Sequence, residues 1–396
     1  MLSTVCRLLQ GRGQILSRQA AVPIHRKLSH HGHDKQQPGI VFHRLDGEER
    51  AQLMTIENGL KMNPTFSANE MNTRLSSLRN YMSKNGIEGA LFTSYHNINY
   101  YADFMYCSWG RPYGLVVTHD DATTISALVD WAQPWRRANT CDNLIYTDWQ
   151  RDNFWRAVQK LLGHVRARGK VGFESDHMPF DNVSKFKQAV PDSVDIVDIA
   201  KPAMELRIVK SDEEIALIRE IATIADIGGA AQVEAMSECA TEYEIVLHGT
   251  QAMVTGIAKK WPGTELRDSF SLFQTGINTD GCHNPPSDRV LKKGVISSIN
   301  TFAMVSGYYA ALERNTFLDH VPDDNLRIWE INCDVVRRGI ELIKPGAKCK
   351  DITNELNEMY RQHGLLDARS FGYGHSFGIM CHYYGREAGE YRQHGL

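Results

Sequence analysis

The sequence has no paired cysteines, no long apolar run and no strong excess of charge of either sign. Its eight cysteines are scattered without a C-x-x-C spacing, which argues against a zinc site or a disulfide framework and indicates a reducing compartment. A formal net charge of −3 argues against nucleic acid or an anionic membrane as the main partner. No apolar stretch reaches the roughly 18 residues that a membrane span needs. We therefore expect a soluble protein with no nucleic-acid partner and no membrane partner.

Acidic residues are missing from the start of the chain, where the first is Asp34. The segment before it combines arginines with leucines and isoleucines, the composition of a mitochondrial transit peptide. The sequence thus predicts a transit peptide or disordered extension over residues 1–47 and a mitochondrial location. A disordered tail on a cytoplasmic protein is the alternative.

The rest of the chain is long enough for two domains, since the 396 residues are 42% hydrophobic. Strands and helices are expected to alternate over residues 48–208, which predicts an α/β domain. Over residues 209–396 the pattern mixes helices with hairpin-like strands, which predicts an α+β domain. The expected strands are 90–94, 115–118, 124–129, 171–174, 295–302 and 307–314, and the expected helices include 153–162, 326–343 and 351–362.

Capping signals mark the starts of further helices. A Ser or Thr followed three residues later by Glu has the spacing of a capping box, in which each side chain bonds to the backbone of the other residue. One predicted helix follows Ser67 and closes at Gly86, and a second begins after Ser211. The capping-box pairs are Ser67 with Glu70, Ser211 with Glu214, and Thr241 with Glu244.

A segment of unusual composition occupies residues 273–285 and reads FQTGINTDGCHNP. Glycines supply positive φ angles, and Asn and Asp side chains bond to nearby backbone, so we predict a shaped loop rather than a strand or helix. The loop delivers His283 just before Asn-Pro. Two interpretations stay open from the loop alone: a catalytic histidine, or a turn containing a hydrogen-bonded histidine.

An arginine close to an aromatic residue occurs earlier in the chain, at Arg111 and Trp109. A guanidinium group beside a ring can hold a carboxylate against an apolar group. The alternative is a surface ion pair beside a packed tryptophan, and the residues themselves leave both interpretations open.

Polar candidates recur at intervals in the second predicted domain: His283, Glu313, His375 and Arg386. Two histidines, a carboxylate and an arginine are groups that can bind a small zwitterion and move protons for it. Each one alone is also compatible with an ordinary hydrogen-bonded or solvated residue, and their spacing does not show that they meet.

Long blocks of the sequence resemble the creatinase (creatine amidinohydrolase) family. This family belongs to the pita-bread superfamily, together with the metal aminopeptidases and prolidases. The resemblance runs from about residue 65 to residue 389 and is carried by FTSYHNINYY, YTDWQRDN, IADIGGAA and GINTDG, at residues 92–101, 146–153, 224–231 and 276–281.

The resemblance implies a hydrolase that cleaves the amidine C–N bond of creatine to give sarcosine and urea, without a cofactor. It gives His283 the central role, as the general acid/base that activates water and then protonates the leaving nitrogen. Glu313 is implied to hold the guanidinium group, because a carboxylate pairs well with a planar cation. His375 is implied to line the pocket as a secondary polar group.

The resemblance also implies a homodimer in which each active site borrows a loop from the partner subunit. Arg386 is expected to bind the carboxylate of creatine together with Arg111 from the other subunit. Trp109 stands where the family has a phenylalanine that packs over the substrate, so the aromatic face is kept with a change of size.

No metal is expected in the site. The metal-dependent relatives require two aspartates on the strand pair spanning residues 298–313, and the corresponding places carry Asn300 and Ala311. Neither side chain offers an anionic oxygen, which makes a metal aminopeptidase the disfavoured hypothesis. Cys282 as a nucleophile is also disfavoured, because only its adjacency to His283 supports it.

The end of the chain departs from the family pattern. The family continues beyond Gly389, through strands that carry a further guanidinium-binding glutamate, so the pita-bread domain is expected to be incomplete here. The last six residues, YRQHGL, repeat residues 360–365 letter for letter. A truncated or inactive protein that binds a ligand or partner without catalysis is therefore the alternative function.

Overall fold

The computed structural model describes residues 41–45, 51–57, 59, 61–105, 110–150, 152–165, 169–369 and 372–380. Within those residues, no helix combines the length and hydropathy that a membrane crossing requires. The sheet of the N-terminal part begins before residue 48, where the sequence predicts the first domain to start. The boundaries at residues 48 and 209 stay a prediction.

In the described N-terminal part, eight strands form one mixed sheet in the order β1-β2-β6-β5-β4-β3-β7-β8. The pairs β3–β7, β5–β6 and β7–β8 are parallel, and helices cover the sheet, as the α/β prediction requires. The strands are β1 Val41–Arg44, β2 Leu53–Glu57, β3 Ile87–Phe92, β4 Gly114–Thr118, β5 Ala122–Ala127, β6 Asp142–Tyr146, β7 Lys170–Phe173 and β8 Asp195–Asp198; the helices are α1 Ala68–Asn85, α2 Tyr95–Ala102, α3 Ala132–Arg137, α4 Asn153–Leu162, α5 Phe180–Ala189 and α6 Ala200–Glu205.

In the described C-terminal part, a three-stranded antiparallel sheet has the order β11-β10-β9. Two long helices pack on one face of it, where Thr301 on β10 donates its hydroxyl to the carbonyl of Ala225 on α7 at 2.9 Å. Gly229 permits this close approach, because a Cβ there would stand 2.3 Å from a methyl group of Leu312. The elements are α7 Asp212–Ala235, α8 Glu242–Lys260, β9 Phe270–Thr275, β10 Ile296–Val305, β11 Tyr308–Phe317, α9 Asp323–Leu342 and α10 Cys349–Gln362.

The predicted helix starts are confirmed, with one change of partner. Helix α7 has the full capping box, and so does α8. At α1, Ser67 accepts from the Glu70 N–H and Gly86 closes the helix with a φ of 68°. Glu70 does not return the bond, because its carboxylate pairs with Arg74. The backbone N–H of Ser67 donates instead to Glu213, at 2.9 Å.

Other expectations were wrong in detail. The aromatic stretch 95–101, for which the sequence predicts no helix, forms the buried helix α2. The first three residues of the predicted loop 273–285 belong to strand β9, so the loop proper begins at Gly276. Ile215 in the first turns of α7 is 44% exposed, and the buried face is formed further along by Ile221, Ile224 and Ala225.

A buried polar cluster joins the N-terminal and C-terminal parts. Arg74 of α1 lies between the rings of Phe66 and Tyr100, at 4.1 and 4.3 Å from their centroids. Its guanidinium group lies 3.8 Å from the carboxylate of Glu214 on α7, which also accepts the hydroxyl of Tyr308 at 2.7 Å. The N-terminal and C-terminal parts are therefore joined by a buried contact and not by a solvated interface.

Candidate active site

The β9–β11 sheet has one face covered by α7 and α8 and a second face rich in polar groups. Side chains alternate along a strand, and directly paired residues share a face. Asn300 pairs with Glu313 and Phe302 with Ala311, which places all four on the second face. We call it the polar face. Gln274 of β9 pairs directly with Ser298. Ser298 lies two residues before Asn300 on β10, so Gln274 also lies on the polar face.

The loop that follows β9 is called here the His283 loop, residues 276–287. It opens with a 3-10 turn, Gly276–Asp280, and Gly276 has a φ of 59°, a conformation that glycine adopts without strain. Gly281 is needed for a different reason, since a Cβ there would lie 2.5 Å from the side-chain oxygen of Asn284. The predicted shaped loop is confirmed over these residues.

His283 stands near the end of this loop with an exposed side chain. Its ring centroid lies 6.5 Å from that of Phe302, which stacks in turn on Phe270 at 4.9 Å. The imidazole therefore borders the polar face and remains open to solvent. This combination allows a histidine to exchange protons with water or with a ligand on that face.

Two buried amide side chains of the sheet, Gln274 and Asn300, hold the His283 loop in place. The side-chain nitrogen of Gln274 donates to the carbonyls of Gly281, Cys282 and Asn284, at 3.1, 3.2 and 2.9 Å. Its side-chain oxygen accepts from the amide nitrogen of Asn300 at 3.2 Å. Gln274 and Asn300 are only 1% and 4% exposed, so these bonds form in an environment that excludes water and strengthens them.

A buried carboxylate holds the loop from the side of α8. Glu242, 0% exposed, accepts from the backbone N–H of Thr275 at 2.7 Å, where the loop begins. It accepts within the loop from the amide of Asn278 at 2.8 Å. At the end of the loop it accepts from the backbone N–H and hydroxyl of Ser287, at 2.8 and 2.9 Å. One carboxylate thus ties together both ends of the loop.

Glu313 and His375 reach the same face from different directions. Glu313 on β11 is exposed and lies across the strand pair from Asn300. His375 lies in the segment 372–380, which docks through a bond from the Tyr309 N–H to the Gly378 carbonyl at 2.9 Å. The ring of His375 lies 5.0 Å from that of Phe377, which packs against Met304 and Tyr309, a cross-strand pair on the polar face. The structure therefore places three of the predicted site residues along one face of the sheet.

Arg111, another predicted site residue, is not part of this group. Arg111 belongs to the N-terminal part, where its guanidinium group pairs with Asp130 at 3.2 Å. It lines a cleft of about 490 Å³ together with Tyr95, His177 and Lys185. Trp109 and Arg386 lie outside the described residues, so their predicted roles stay predictions.

The residues at the metal positions of the related peptidases do not fit a metal ion. Ala311 carries only a methyl group, and the amide nitrogen of Asn300 is directed to Gln274 and to the hydroxyl of Ser298. Among the residues that the structure describes, no three His, Cys, Asp or Glu side chains are grouped closely enough to bind a metal.

Comparison with known protein families defines the class of this fold. Residues 74–209 match the Creatinase/Prolidase N-terminal domain, and residues 216–393 match Metallopeptidase family M24. The prolidase from Thermococcus sibiricus superimposes with a TM-score of 0.72 at 18% identity, covering 84% of this chain and 88% of that one. The prolidase from Pyrococcus horikoshii OT3 gives 0.69 at 19% identity, covering 82% and 87%. The chain therefore has the two-domain pita-bread architecture of the prolidases.

A relative with higher sequence identity identifies the family within this superfamily. The creatinase of Bacillus sp. (strain B-0618) is 54% identical to this chain over 342 residues, which are 86% of this chain and 82% of that protein. The chain belongs to the creatinase family.

Sequence reasoning missed the residues that hold the loop. The composition places Gln274 in the loop, and the resemblance treats Asn300 only as a lost metal ligand. Neither assigns a role to Glu242, which lies in the first turn of α8. One signal was available for Glu242: the capping box at the start of α8 uses Thr241 and Glu244, which leaves a second carboxylate in the same turn without an assigned partner.

Proposed function

We propose that this chain hydrolyses creatine to sarcosine and urea without a metal ion, with His283 as the general acid and base. The observation that carries the proposal is the 54% identity to a creatinase over most of both chains. The geometry supports it, because the His283 loop is held firmly while its imidazole stays open beside the polar face.

The reaction needs one group that accepts a proton and later returns it. Water adds to the guanidinium carbon of creatine and gives its proton to the imidazole of His283, forming a tetrahedral intermediate. The bond from that carbon to the methylated nitrogen then breaks. As it breaks, the protonated imidazole donates its proton to the leaving nitrogen, and His283 returns to its starting state. The remaining fragment becomes urea by losing its hydroxyl proton, which the amine of the released sarcosine takes up.

The charges of creatine suggest a role for each remaining site residue. Glu313 on the polar face carries the anionic oxygens that pair with a guanidinium group. Arg386 and the Arg111 of a second subunit are assigned to the substrate carboxylate, with Trp109 against its apolar atoms. His375 is assigned to the pocket wall, and the packing of its neighbour Phe377 against Met304 and Tyr309 supports this position.

Urea release from creatine, followed in a coupled assay, tests the activity. His283→Ala is expected to lower kcat by roughly 10²–10⁴-fold, the usual contribution of general acid–base catalysis. His248→Ala serves as the control, because this histidine is exposed on α8 and has no role in the site. A wild-type protein that releases no urea contradicts the activity, and a His283→Ala variant with full activity contradicts the mechanism.

The proposed homodimer with shared sites has its own test. His283→Ala and Arg111→Ala damage different subunits of one shared site, so mixing the two inactive proteins rebuilds intact sites in mixed dimers. Random exchange restores roughly a quarter of the wild-type activity. A monomer by light scattering, or no recovery after exchange, contradicts the shared site.

The proposed mitochondrial location rests on the acid-free, arginine-bearing composition of the first 33 residues. A fusion of residues 1–47 to a fluorescent protein is expected to enter mitochondria, and a fusion lacking them to stay in the cytoplasm. The similarity to a creatinase does not favour the alternative of a non-catalytic binding protein.

A further inference from the structure

We propose that Gln274, Asn300 and Glu242 are positioning residues for His283, and that residue 300 must be a hydrogen-bond donor for the site to work. The inference rests on the proposed role of His283 in proton transfer. It goes further by naming side chains outside the loop that set where the imidazole stands.

The orientation of the Gln274 amide is fixed by its surroundings. Its nitrogen faces the carbonyls of Gly281, Cys282 and Asn284, and a carbonyl can only accept a hydrogen bond. The Cys282 carbonyl belongs to the peptide group that joins Cys282 to His283, and Gly281 and Asn284 lie on either side of these two residues. The amide group therefore has one workable orientation, with its oxygen turned toward β10.

That orientation decides which side chain can occupy position 300. The oxygen of Gln274 requires a donor, and Asn300 supplies one at 3.2 Å. An aspartate there would place a second acceptor against the first. Turning the Gln274 amide over would relieve that contact but would direct its oxygen at the three loop carbonyls. Both arrangements leave a buried acceptor facing an acceptor, which is strongly unfavourable.

Glu242 restrains the same loop through independent contacts. One of its oxygens accepts from Thr275, and the other accepts from Asn278 and Ser287. Both oxygens thus face donors, so replacement by glutamine necessarily turns an NH₂ group toward an N–H group. Because a shift of about 1 Å in a catalytic group lowers a rate by roughly 10²-fold, loosening this loop is expected to slow catalysis.

Three variants of nearly unchanged size test the inference: Gln274→Glu, Asn300→Asp and Glu242→Gln. Each is expected to lower kcat by roughly 10–100-fold and to leave the KM for creatine within about threefold, because substrate binding depends on other groups. Hydrogen exchange of the 276–287 peptide, followed by mass spectrometry, is expected to become faster. Faster exchange shows directly that the loop has loosened.

Two matched controls separate positioning from general stability. Gln232→Glu alters a fully buried glutamine whose amide donates to the Leu272 carbonyl of the same sheet at 3.0 Å. Glu174→Gln alters a buried carboxylate of the N-terminal part. Both controls are expected to lower the melting temperature while exchange in the 276–287 peptide stays at the wild-type rate.

A comparison at position 300 gives the sharpest result. Asn300→Ala removes the donor but leaves the Gln274 amide facing the loop, whereas Asn300→Asp forces the repulsive contact. Aspartate is thus expected to lower kcat more than alanine, although it is the closer match in shape. A smaller loss with aspartate than with alanine overturns the donor requirement.

The other outcomes are equally decisive. Unchanged loop exchange in Gln274→Glu and Glu242→Gln overturns the positioning role whatever the activity. If His283→Ala inactivates the enzyme, but Gln274→Glu and Glu242→Gln show faster loop exchange with unchanged kcat, the link between loop position and catalysis is overturned. A wild-type protein without urea release contradicts the proposed function, and the exchange rates still decide whether these side chains hold the loop.

Discussion

Two buried carboxylates, Glu174 and Glu242, lie in different parts of the molecule and are bound in the same way. Among the described residues, Glu174 accepts from the backbone N–H groups of Thr93 and Ser94, the Ser94 hydroxyl and the amide of Asn97. Glu242 likewise accepts from two backbone N–H groups, a serine hydroxyl and an asparagine amide. The two carboxylates are 1% and 0% exposed.

The difference lies in what each carboxylate holds. The donors around Glu174 fall within residues 93–97 and form the start of helix α2, a structural element. The donors around Glu242 are spread over residues 275–287, and the stretch between them carries His283. Similar chemistry therefore stabilises a helix in one place and the exposed loop that carries His283 in the other. We expect loss of Glu174 to affect folding and loss of Glu242 to affect catalysis.

The largest effect is expected from Glu174→Ala, which leaves several buried donors without an acceptor. The free energy of unfolding is expected to fall by about 3 kcal/mol, as measured by urea denaturation. Below the unfolding temperature, kcat should stay near the wild-type value. The comparison breaks down if this variant loses its catalytic rate while keeping its stability.

A second prediction concerns the link between the two regions. The tip of the β10–β11 hairpin rests on α2, where the amide of Asn99 donates to the Ser306 carbonyl at 2.8 Å. Gly307 has a φ of 86°, and a Cβ there would stand 2.1 Å from Asn99. Gly307→Ala is expected to reduce stability by about 2 kcal/mol, from backbone strain and steric overlap.

The double variant Gly307→Ala/Asn99→Ala separates these two causes. It removes the overlap and keeps the strain, so melting curves should show part of the lost stability restored. A double variant that is less stable than the sum of the single changes would show that the hairpin does not rest on α2 in this way.

A third prediction concerns pH. Burial is the main cause that lowers the pKa of His96 from 6.5 to about 2, and Arg207 and His177 lower it further. The unfolded chain binds a proton here below pH 6.5 and the folded chain does not until about pH 2. Stability is therefore lost as the pH falls through this window, by up to ~1.4 kcal/mol per pH unit.

His96→Gln removes this titration, so its unfolding free energy should depend less steeply on pH between 6 and 4. An unchanged slope would contradict the assignment. A shallower slope in His96→Gln would show that the region around α2, which Glu174 holds, makes folding sensitive to acid.

The smallest effects are expected from the two asparagines. Asn97→Ala removes a donor to Glu174 and should lower stability by about 1 kcal/mol with little change in kcat. Asn278→Ala removes the corresponding donor to Glu242 and should lower kcat several-fold with little change in melting temperature. Parallel melting and urea-release measurements decide this. Equal effects of the two variants on both quantities would remove the functional difference between the carboxylates.

Much of the fold could be predicted because its signals are local. Ser211 and Glu214 lie three residues apart, and the helix that they begin is present with both capping bonds. The β10–β11 hairpin and helix α4 were also expected at nearly their observed bounds. Short-range patterns of this kind survive folding because tertiary contacts reinforce them.

The elements that were missed depend on contacts between distant positions. Helix α2 forms from an aromatic-rich stretch whose start is capped by Glu174, 80 positions further along the chain from Ser94. The bond between Asn300 and Gln274 spans 26 positions, and those from Glu242 to Thr275 and Ser287 span 33 and 45. The family resemblance pointed to His283 and Glu313, but it gave no information about the side chains beneath the loop.

The cap of helix α1 has a consequence for the order of events during synthesis. Ser67, which begins this helix, donates its N–H and hydroxyl to Glu213, 146 positions later. At roughly 5–20 residues per second, the ribosome needs on the order of ten seconds or more to deliver that partner. The N-terminal sheet thus emerges before the contact that completes its first helix can form. We expect its final packing to wait until the start of α7 has left the exit tunnel.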